Sequence, residues 1–408
     1  MSNTSWVQQL RDSFRKVGEA FAEVQGARLI PSFSLTSEEE YAPDPEQRDE
    51  ERRLDLKDTW VRDAETTPSE SFTRDFRQAS GDFNLNYFVD GSVRSVRALD
   101  GVEGNFVFPI VIGQIGAASI TRNDNTEPIK HLLEMDIVLL IPLSKLSDTL
   151  RLQLNRQFAS TILADKIHDP LHRRDASGVD HYDEERDYAE LRSRAARRAK
   201  DLMAGIERKV LEQCVNSLSK DETQLVVIDG SLFSPLKEAQ MPEDKIHRVI
   251  GVSKSFSMTP LILMEQYLNR NDCIRRLVNL REGERTDAIE LHIDPDWVIT
   301  WYQRIRPQEQ VESPLDGIVK VETHFADYPA CQSRNVKRRL SSTRKNWSEV
   351  WDAIANVIYS ERMPVPFHED RWHALIYPIY CCERLLKSSF LSVEVLRGLC
   401  ARIIPSGG

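Results

Sequence analysis

Residues 86–95 read NYFVDGSVRS, and residues 225–234 repeat the centre of that stretch as LVVIDGSLFS. In each, an apolar run enters the same Asp-Gly-Ser triplet, which contains Asp90 in the first copy and Asp229 in the second. Asp-Gly is also the strongest short signal for a hairpin turn, so two ordinary turns are the competing interpretation. The first copy continues with Val93 and does not turn back, which favours a carboxylate held inside a strand.

The second triplet follows a short run that is apolar throughout, which is typical of a strand buried on both faces of a sheet. An unpaired carboxylate at the end of such a strand is costly, so Asp229 needs a partner there. Carboxylates that converge from separate strands are the oxygen ligands that Mg²⁺ and Mn²⁺ prefer. We therefore interpret Asp90 and Asp229 as metal ligands.

The patterns around the two triplets predict an α/β fold with a mixed sheet. Three β-rich runs over residues 83–143 are joined by turn segments and predict an antiparallel meander. A helical region follows from about Lys145 to Leu218, and then come the buried strand that ends in Asp229 and further strands and helices. This is the order of an RNase H-like sheet, in which a meander is combined with parallel strands.

Composition and pattern divide the chain of 408 residues into three parts. Residues 1–80 are predicted to form an N-terminal amphipathic helix and a charged connector. Residues 81–346 form the mixed-sheet core with the helical insertion at about 145–218, and residues 347–408 form a C-terminal helical part that completes the active site.

Bulk properties narrow the function classes. A net charge of −10 and a pI near 5.5 argue against a protein that coats nucleic acid by charge alone. No run of about 18 apolar residues predicts a membrane span, and no secretory leader is evident at the N-terminus. Six scattered cysteines suit a reducing compartment, so we expect a cytoplasmic protein. No phosphate-binding P-loop motif occurs.

The helix before the second triplet offers a third carboxylate, Glu207 or Glu212. Glu212 lies on the half-apolar stretch KVLEQCV and is the preferred candidate, with an ordinary surface glutamate as the alternative. Lys254 follows the strand RVIGVS and could balance phosphate charge or orient the attacking water. Its alternative role is that of a lysine in a solvated loop.

Arg304 and Arg306 alternate on one face of a predicted strand and are candidates for gripping a DNA backbone, or for guarding a sheet edge. A cluster of histidines and aspartates is a weaker candidate for a zinc site, because Pro170 interrupts the helix that its spacing would need. A charged insertion is the preferred interpretation of that cluster, which consists of His168, His172, Asp180, His181 and Asp183.

An ordered series of motifs resembles the NurA nucleases over roughly residues 83–390. The series is FVDGS, RKVLEQCV, LVVIDGSL, IGVSKS, an arginine-bearing strand and a Tyr-Pro pair near the C-terminus. The resemblance implies an RNase H-like domain that forms a homodimer and cuts DNA with Mn²⁺ or Mg²⁺, as a 5′ to 3′ exonuclease with single-strand endonuclease activity. It also implies a hexameric HerA-type ATPase as partner, in DNA end processing or defence against foreign DNA.

Carried over by position, the resemblance assigns Asp90, Glu212 and Asp229 as metal ligands and matches Lys254 to the family lysine. It also places Tyr377 in the pocket.

The chain departs from the NurA pattern in its last motif. Glu383 occupies the position where the family carries a histidine. His373 lies ten residues earlier and is a poor substitute for that histidine. The substitution leaves open a nuclease with altered metal preference or an inactive adaptor that caps the ATPase ring. A third possibility, an α/β protein without nuclease chemistry, would be supported if Asp90 and Asp229 lay more than about 8 Å apart, too far to share a metal cluster.

Overall fold

A computed structural model provides the fold. It describes residues 3–31, 59–64, 72–122, 127–174, 179–221, 223–232, 245–264, 270–293, 296–324, 347–363 and 372–401.

These residues form fifteen strands and eight helices of the α type. The strands are β1 (Ala27–Pro31), β2 (Thr59–Asp63), β3 (Thr73–Asp75), β4 (Asn84–Glu103), β5 (Phe106–Thr121), β6 (Ile129–Leu140), β7 (Ile167–His168), β8 (His172–Arg174), β9 (Asp180–Tyr182), β10 (Gln224–Asp229), β11 (Val249–Ser253), β12 (Glu284–Thr286), β13 (Ile289–Ile293), β14 (Asp296–Arg304) and β15 (Ile318–Thr323). The helices are α1 (Asn3–Ala22), α2 (Asp148–Phe158), α3 (Tyr188–Ser217), α4 (Thr259–Met264), α5 (Arg270–Asn279), α6 (Trp347–Ser360), α7 (Tyr377–Ser389) and α8 (Val393–Ala401).

Thirteen of the strands belong to one mixed sheet, whose main path runs β2-β13-β14-β15-β11-β10-β4-β5-β6-β7. The predicted meander is confirmed, because β4 pairs antiparallel with β5 and β5 pairs antiparallel with β6. The strand after the long crossover, β10, pairs parallel with β4 on one side and with β11 on the other. Beyond β11 the sheet continues with antiparallel strands, beginning with β15.

Strand β10 is central because both of its faces are apolar. Val226 and Ile228 pack into a core cluster with buried residues of α3, and Leu225 and Val227 pack into a second cluster on the other face, which includes α6 and α7. Side chains alternate across a strand, so a run without polar residues is stable only between two covered faces. Helices α3 and α7 therefore enclose the end of β10, where Asp229 lies.

Strand β4 is 20 residues long and takes part in two cores. One edge pairs with β5 from Tyr87 to Glu103. The other edge pairs first with β10, over Asn84–Val89, and later with β1, over Leu99–Glu103. The second half of β4 packs with α1, α2 and β5 in a separate apolar cluster that includes Leu99.

Two predictions of secondary structure need correction. The helical region of residues 145–218 is two helices, α2 and α3, and the short strands β7, β8 and β9 lie between them. The connector predicted at residues 34–80 contributes strands where the structure describes it, because β2 pairs with β13 and β3 pairs with β12. The rest of the connector lies outside the described residues.

The C-terminal part contains α6, α7 and α8, in agreement with the helical prediction. All five cysteines that the structure describes are free thiols, and Cys331 lies outside the described residues. Across the part of the chain with described structure, no helix combines the length and apolarity needed to cross a bilayer.

Candidate active site

Asp90 and Asp229 lie side by side on neighbouring parallel strands. The register of β4 and β10 pairs Phe88 with Val227 and Val89 with Ile228, so the next residues along the two strands are Asp90 and Asp229. Neighbouring strands in a sheet are about 5 Å apart, which is well within the limit for two carboxylates that share a metal cluster. Asp90 lies in the middle of β4, opposite Ala118 of β5, and is not part of a hairpin turn.

The two carboxylates project from the same face of the sheet. Phe88 and Val227 belong to the core cluster on the α7 side, and side chains two residues apart share a face. Helix α7 covers this region, since the thiol of Cys382 donates to the carbonyl oxygen of Phe88 at 3.3 Å. Asp90 itself is only 6% exposed.

The pKa of Asp90 is shifted by its burial and by the charged side chains around it. Burial raises the pKa of Asp90 well above its ordinary value, and the neighbouring charges of Asp229, Glu207 and Glu383 raise it further. Lys254 acts in the opposite direction and lowers the pKa. Three carboxylates and one lysine therefore act on Asp90, and a bound cation would stabilise this concentration of negative charge.

Lys254 is in direct contact with Asp229. Its Nζ lies 2.8 Å from Oδ2 of Asp229, and its side chain is 13% exposed. Burial alone would lower the pKa of Lys254, but Asp229, Asp90 and Glu383 outweigh burial, and the pKa is raised. Lys254 therefore stays protonated and offers a fixed positive charge beside the two aspartates.

The turn after Asp229 depends on glycine. Gly230 has a φ of 104°, which side-chain-bearing residues rarely adopt, and its N–H donates to the carbonyl oxygen of Val252 at 2.9 Å. The chain thus leaves β10 abruptly while the backbone stays bonded to β11. Asp229 consequently stands at the end of its strand, where the carboxylate is accessible to Lys254.

Glu207 of α3 lies against β4 next to Asp90, on the face of the sheet opposite to the Asp90 carboxylate, and the ligand role of Glu212 stays a prediction. A Cβ at Gly91 would lie 2.2 Å from Sδ of Met203 and 3.0 Å from Oε1 of Glu207, so α3 approaches β4 directly at the residue after Asp90. Glu212 lies five residues further along the helix, which rotates it by about 140° from Glu207.

A signal for Glu207 was present in the sequence. Met203, Val210 and Cys214 are buried, and their spacing of seven and four residues marks the inner face of α3, on which Glu207 also falls. The stretch KVLEQCV is apolar on more than one side of the helix, so it does not decide between Glu207 and Glu212.

Helix α7 brings Glu383 to the site, as the resemblance implied. Glu383 raises the pKa of both Asp90 and Lys254, and its carboxylate also forms an ion pair of 2.7 Å with Lys387. Tyr377 is placed differently, because six residues of helix rotate it by about 120° from Glu383. Its hydroxyl interacts with the thiol of Cys381, and this neighbour raises the pKa of Tyr377.

Arg304 and Arg306 are structural residues, and the prediction that they grip DNA is not supported. Arg304 is fully buried and donates to the carbonyl oxygens of Asp316, at 2.9 Å, and Pro314, at 2.7 Å. Arg306 is buried as well, donates to a backbone carbonyl and stacks on Trp372, with 5.2 Å between the guanidinium carbon and the ring centroid. The alternative role at a sheet edge also fails for Arg304, because β14 lies between β13 and β15.

The weaker zinc candidate is a small hairpin. Strands β8 and β9 pair, His172 contacts Asp180 at 2.9 Å, and Arg173 forms an ion pair with Asp183 at 2.9 Å. Within the described ranges, no three histidine, cysteine or acidic side chains are arranged closely enough to hold a metal ion. These contacts agree with the preferred interpretation of a charged insertion.

The donor set around Asp90 nevertheless has the chemistry of a divalent-cation site. Asp90 and Asp229 provide hard oxygen donors on one face of the sheet, which Mg²⁺ and Mn²⁺ prefer, and a divalent ion would relieve the repulsion between the two carboxylates. Comparison with known proteins adds no identification, since no protein-family model matches the chain and no curated protein matches it significantly.

Proposed function

We propose that the protein is a divalent-metal-dependent DNA nuclease of the NurA type. One observation carries the proposal: Asp90 and Asp229 stand side by side on neighbouring parallel strands, with Nζ of Lys254 at 2.8 Å from Asp229. If the two aspartates were ordinary turn residues without a common role, we would not expect both to lie beside the same lysine. The proximity also removes the main support for an α/β protein without nuclease chemistry.

The order of strands supports an RNase H-like core. The path β6-β5-β4-β10-β11 joins an antiparallel meander to two parallel strands, and the first strand and the strand after the crossover lie next to each other. That arrangement is the one that the sequence predicted for this class. The antiparallel strands that begin with β15 extend the sheet beyond this core.

The mechanism that we propose divides the work among the residues of the site. Asp90 and Asp229 would hold Mn²⁺ or Mg²⁺, which when bound supplies Lewis acidity and lowers the pKa of the attacking water. Asp90 must lose its proton to act as a ligand, and its raised pKa makes this step dependent on pH. Lys254 would neutralise charge on the phosphate, and Glu383 would accept a hydrogen bond or complete the ligand set.

The proposed partners follow from the resemblance and from charge. DNA is the substrate, a second copy of the chain completes a homodimer, and a hexameric HerA-type ATPase delivers the DNA. With a net charge of −10, the chain is poorly suited to attract DNA by itself. A positively charged channel in the ATPase would therefore bind the DNA, and the nuclease would cut it. The role is DNA end processing or defence against foreign DNA.

The second candidate function is an inactive adaptor that caps the ATPase ring. Two observations favour it: Glu383 replaces the family histidine, and Tyr377 contacts Cys381 on another side of α7. Asp90, Asp229 and Lys254 favour the nuclease, because a buried carboxylate next to a second carboxylate is costly to the fold unless it serves a function such as cation binding.

The deciding experiment measures cleavage of labelled single- and double-stranded DNA with Mn²⁺, Mg²⁺ or chelator, with and without a HerA-type ATPase. We expect cleavage that requires metal and is lost in Asp229→Asn, together with a metal-dependent rise in melting temperature that the same substitution removes. Absence of both cleavage and thermal stabilisation in the ATPase complex would favour the adaptor.

A matched pair of substitutions tests which glutamate of α3 serves the site. Glu207→Gln is expected to reduce metal-dependent cleavage by about 10–100-fold, because Glu207 packs against the residue that follows Asp90 and acts on the Asp90 carboxylate from outside the ligand set. Glu212→Gln on the same helix should change the rate by less than about threefold, within the range of a surface substitution. Initial rates at saturating Mn²⁺ check the prediction, and a larger loss in Glu212→Gln would reverse the assignment.

A further inference from the structure

The loop that follows Asp229 is anchored by Glu322, a residue of β15. The hydroxyl of Ser231 donates to Oε2 of Glu322 at 2.8 Å, and the backbone N–H of Leu232 donates to the same oxygen at 2.7 Å. The other carboxylate oxygen, Oε1, lies 2.7 Å from Nζ of Lys320. Glu322 and Lys320 are both 0% exposed, so these contacts form away from competing water.

Gly251 provides the path by which Glu322 reaches this loop. It lies between them in the sheet, opposite Glu322 on β15 and opposite Ile228 on β10. A Cβ at Gly251 would lie 2.7 Å from the carbonyl oxygen of Gly230 and 3.0 Å from Cγ of Leu232. Any side chain at this position would push the loop away from β11 and away from Glu322.

Glu322 acts from the face of the sheet opposite to the Asp229 carboxylate. Leu232 and Ile228 pack in the core cluster on the α3 side, and Val227 packs on the α7 side. Because side chains alternate along β10, Asp229 projects on the α7 side, while Glu322 holds the loop from the α3 side. Glu322 is therefore not a metal ligand, and any influence on the site passes through the loop.

We propose that Glu322 is a positioning residue, which fixes the loop Asp229–Leu232 and thereby holds the Asp229 carboxylate beside Asp90. The inference rests on the proposed function, because the quantity that Glu322 controls is the affinity of the site for a divalent cation. Residues that orient a ligand from outside the coordination sphere typically contribute 10–100-fold to metal affinity. The length of the Glu322 side chain and its acceptor oxygen matter here, and its negative charge does not.

Two variants separate length from charge. Glu322→Asp keeps the charge opposite Lys320 but shortens the side chain by one methylene, so it no longer reaches both Ser231 and Leu232. Lys320→Met/Glu322→Gln removes both charges but keeps an acceptor oxygen at the original reach, and replacement of both members of a buried pair is commonly tolerated. Both variants are made in the full-length chain.

The readouts are the dissociation constant for Mn²⁺, by calorimetry, and hydrogen exchange of the peptide that spans residues 225–232. We expect Glu322→Asp to weaken Mn²⁺ binding by about tenfold or more and to speed exchange at the Leu232 amide. The double variant should keep both values within about threefold of wild type. A loss in the double variant that equals or exceeds that in Glu322→Asp, or no loss in either, would overturn the proposal.

The wild-type protein distinguishes failure of this inference from failure of the proposed function. If the wild-type protein binds no Mn²⁺ and cuts no DNA, both the proposed nuclease function and the positioning role of Glu322 are refuted. Wild type that binds Mn²⁺ and cuts DNA, with affinity unchanged in Glu322→Asp, refutes the positioning role and leaves the nuclease intact.

Discussion

Replacement of Asp90 by asparagine is expected to abolish metal-dependent DNA cleavage, by about a thousandfold or more, while it stabilises the metal-free fold. Cleavage is lost because an amide is a poorer ligand for a hard cation than a carboxylate is. The stability of the metal-free fold increases because Asp90 is buried near Asp229 and Glu207, and these surroundings disfavour its negative charge. Asparagine has nearly the same shape and carries no charge to repel.

Cleavage rates and melting temperatures measured on one preparation test both parts of this prediction. In chelator, the melting temperature of Asp90→Asn should exceed that of wild type, and saturating Mn²⁺ should reverse the order, since only wild type gains from the ion. Asp82→Asn is the matched control, because Asp82 is an exposed aspartate eight residues earlier. A variant that is both inactive and less stable in chelator would show that the Asp90 carboxylate has a structural role.

Replacement of Lys320 by methionine is expected to lower the free energy of unfolding by about 3–5 kcal/mol. Lys320 and Glu322 are both fully buried, and their charged atoms lie 2.7 Å apart. Methionine fills the space of the lysine stem but leaves the carboxylate of Glu322 without a countercharge in the interior. The loss therefore measures an uncompensated buried charge, and most of it should be recovered in Lys320→Met/Glu322→Gln.

Urea-induced unfolding in chelator checks this expectation without interference from metal binding. Lys220→Met, which changes an exposed lysine, should alter stability by no more than about 0.5 kcal/mol. Equal stability of the single and double variants would refute the argument, since the loss would then come from packing around the lysine stem.

The sequence was sufficient to bring together three residues of the proposed site. Asp90 and Asp229 could be predicted because each interrupts an apolar strand, and a carboxylate in that place needs a reason. Lys254 could be predicted as well, since it follows the neighbouring strand β11 by one residue. Strand order then brings the three together, because β10 ends at Asp229 and pairs parallel with β4, which carries Asp90, and with β11, which Lys254 follows.

Choices that depend on rotation or on distant partners were less predictable. Glu207 and Glu212 differ by their angle on α3, and a short apolar stretch does not fix that angle. Arg304 resembled a surface residue, yet carbonyl oxygens from residues 10 and 12 positions further along the chain bind its guanidinium. The strands β2 and β3 lie in a charged segment with weak strand character, and they form because β13 and β12 offer edges to pair with.

Because β4 is long, it couples unfolding of the N-terminal core to unfolding of the region around Asp90. Its first half presents Asp90, and its second half is bound to β1 and covered by α1, in the core that contains Leu99. Melting of that distant core would free the strand on which the carboxylate stands, so the two regions should unfold together as one cooperative unit. A shortened chain that starts at residue 81 would lack α1 and β1 and expose the apolar residues beneath them. The N-terminal helix is thus part of the same cooperative structure as Asp90 and Asp229.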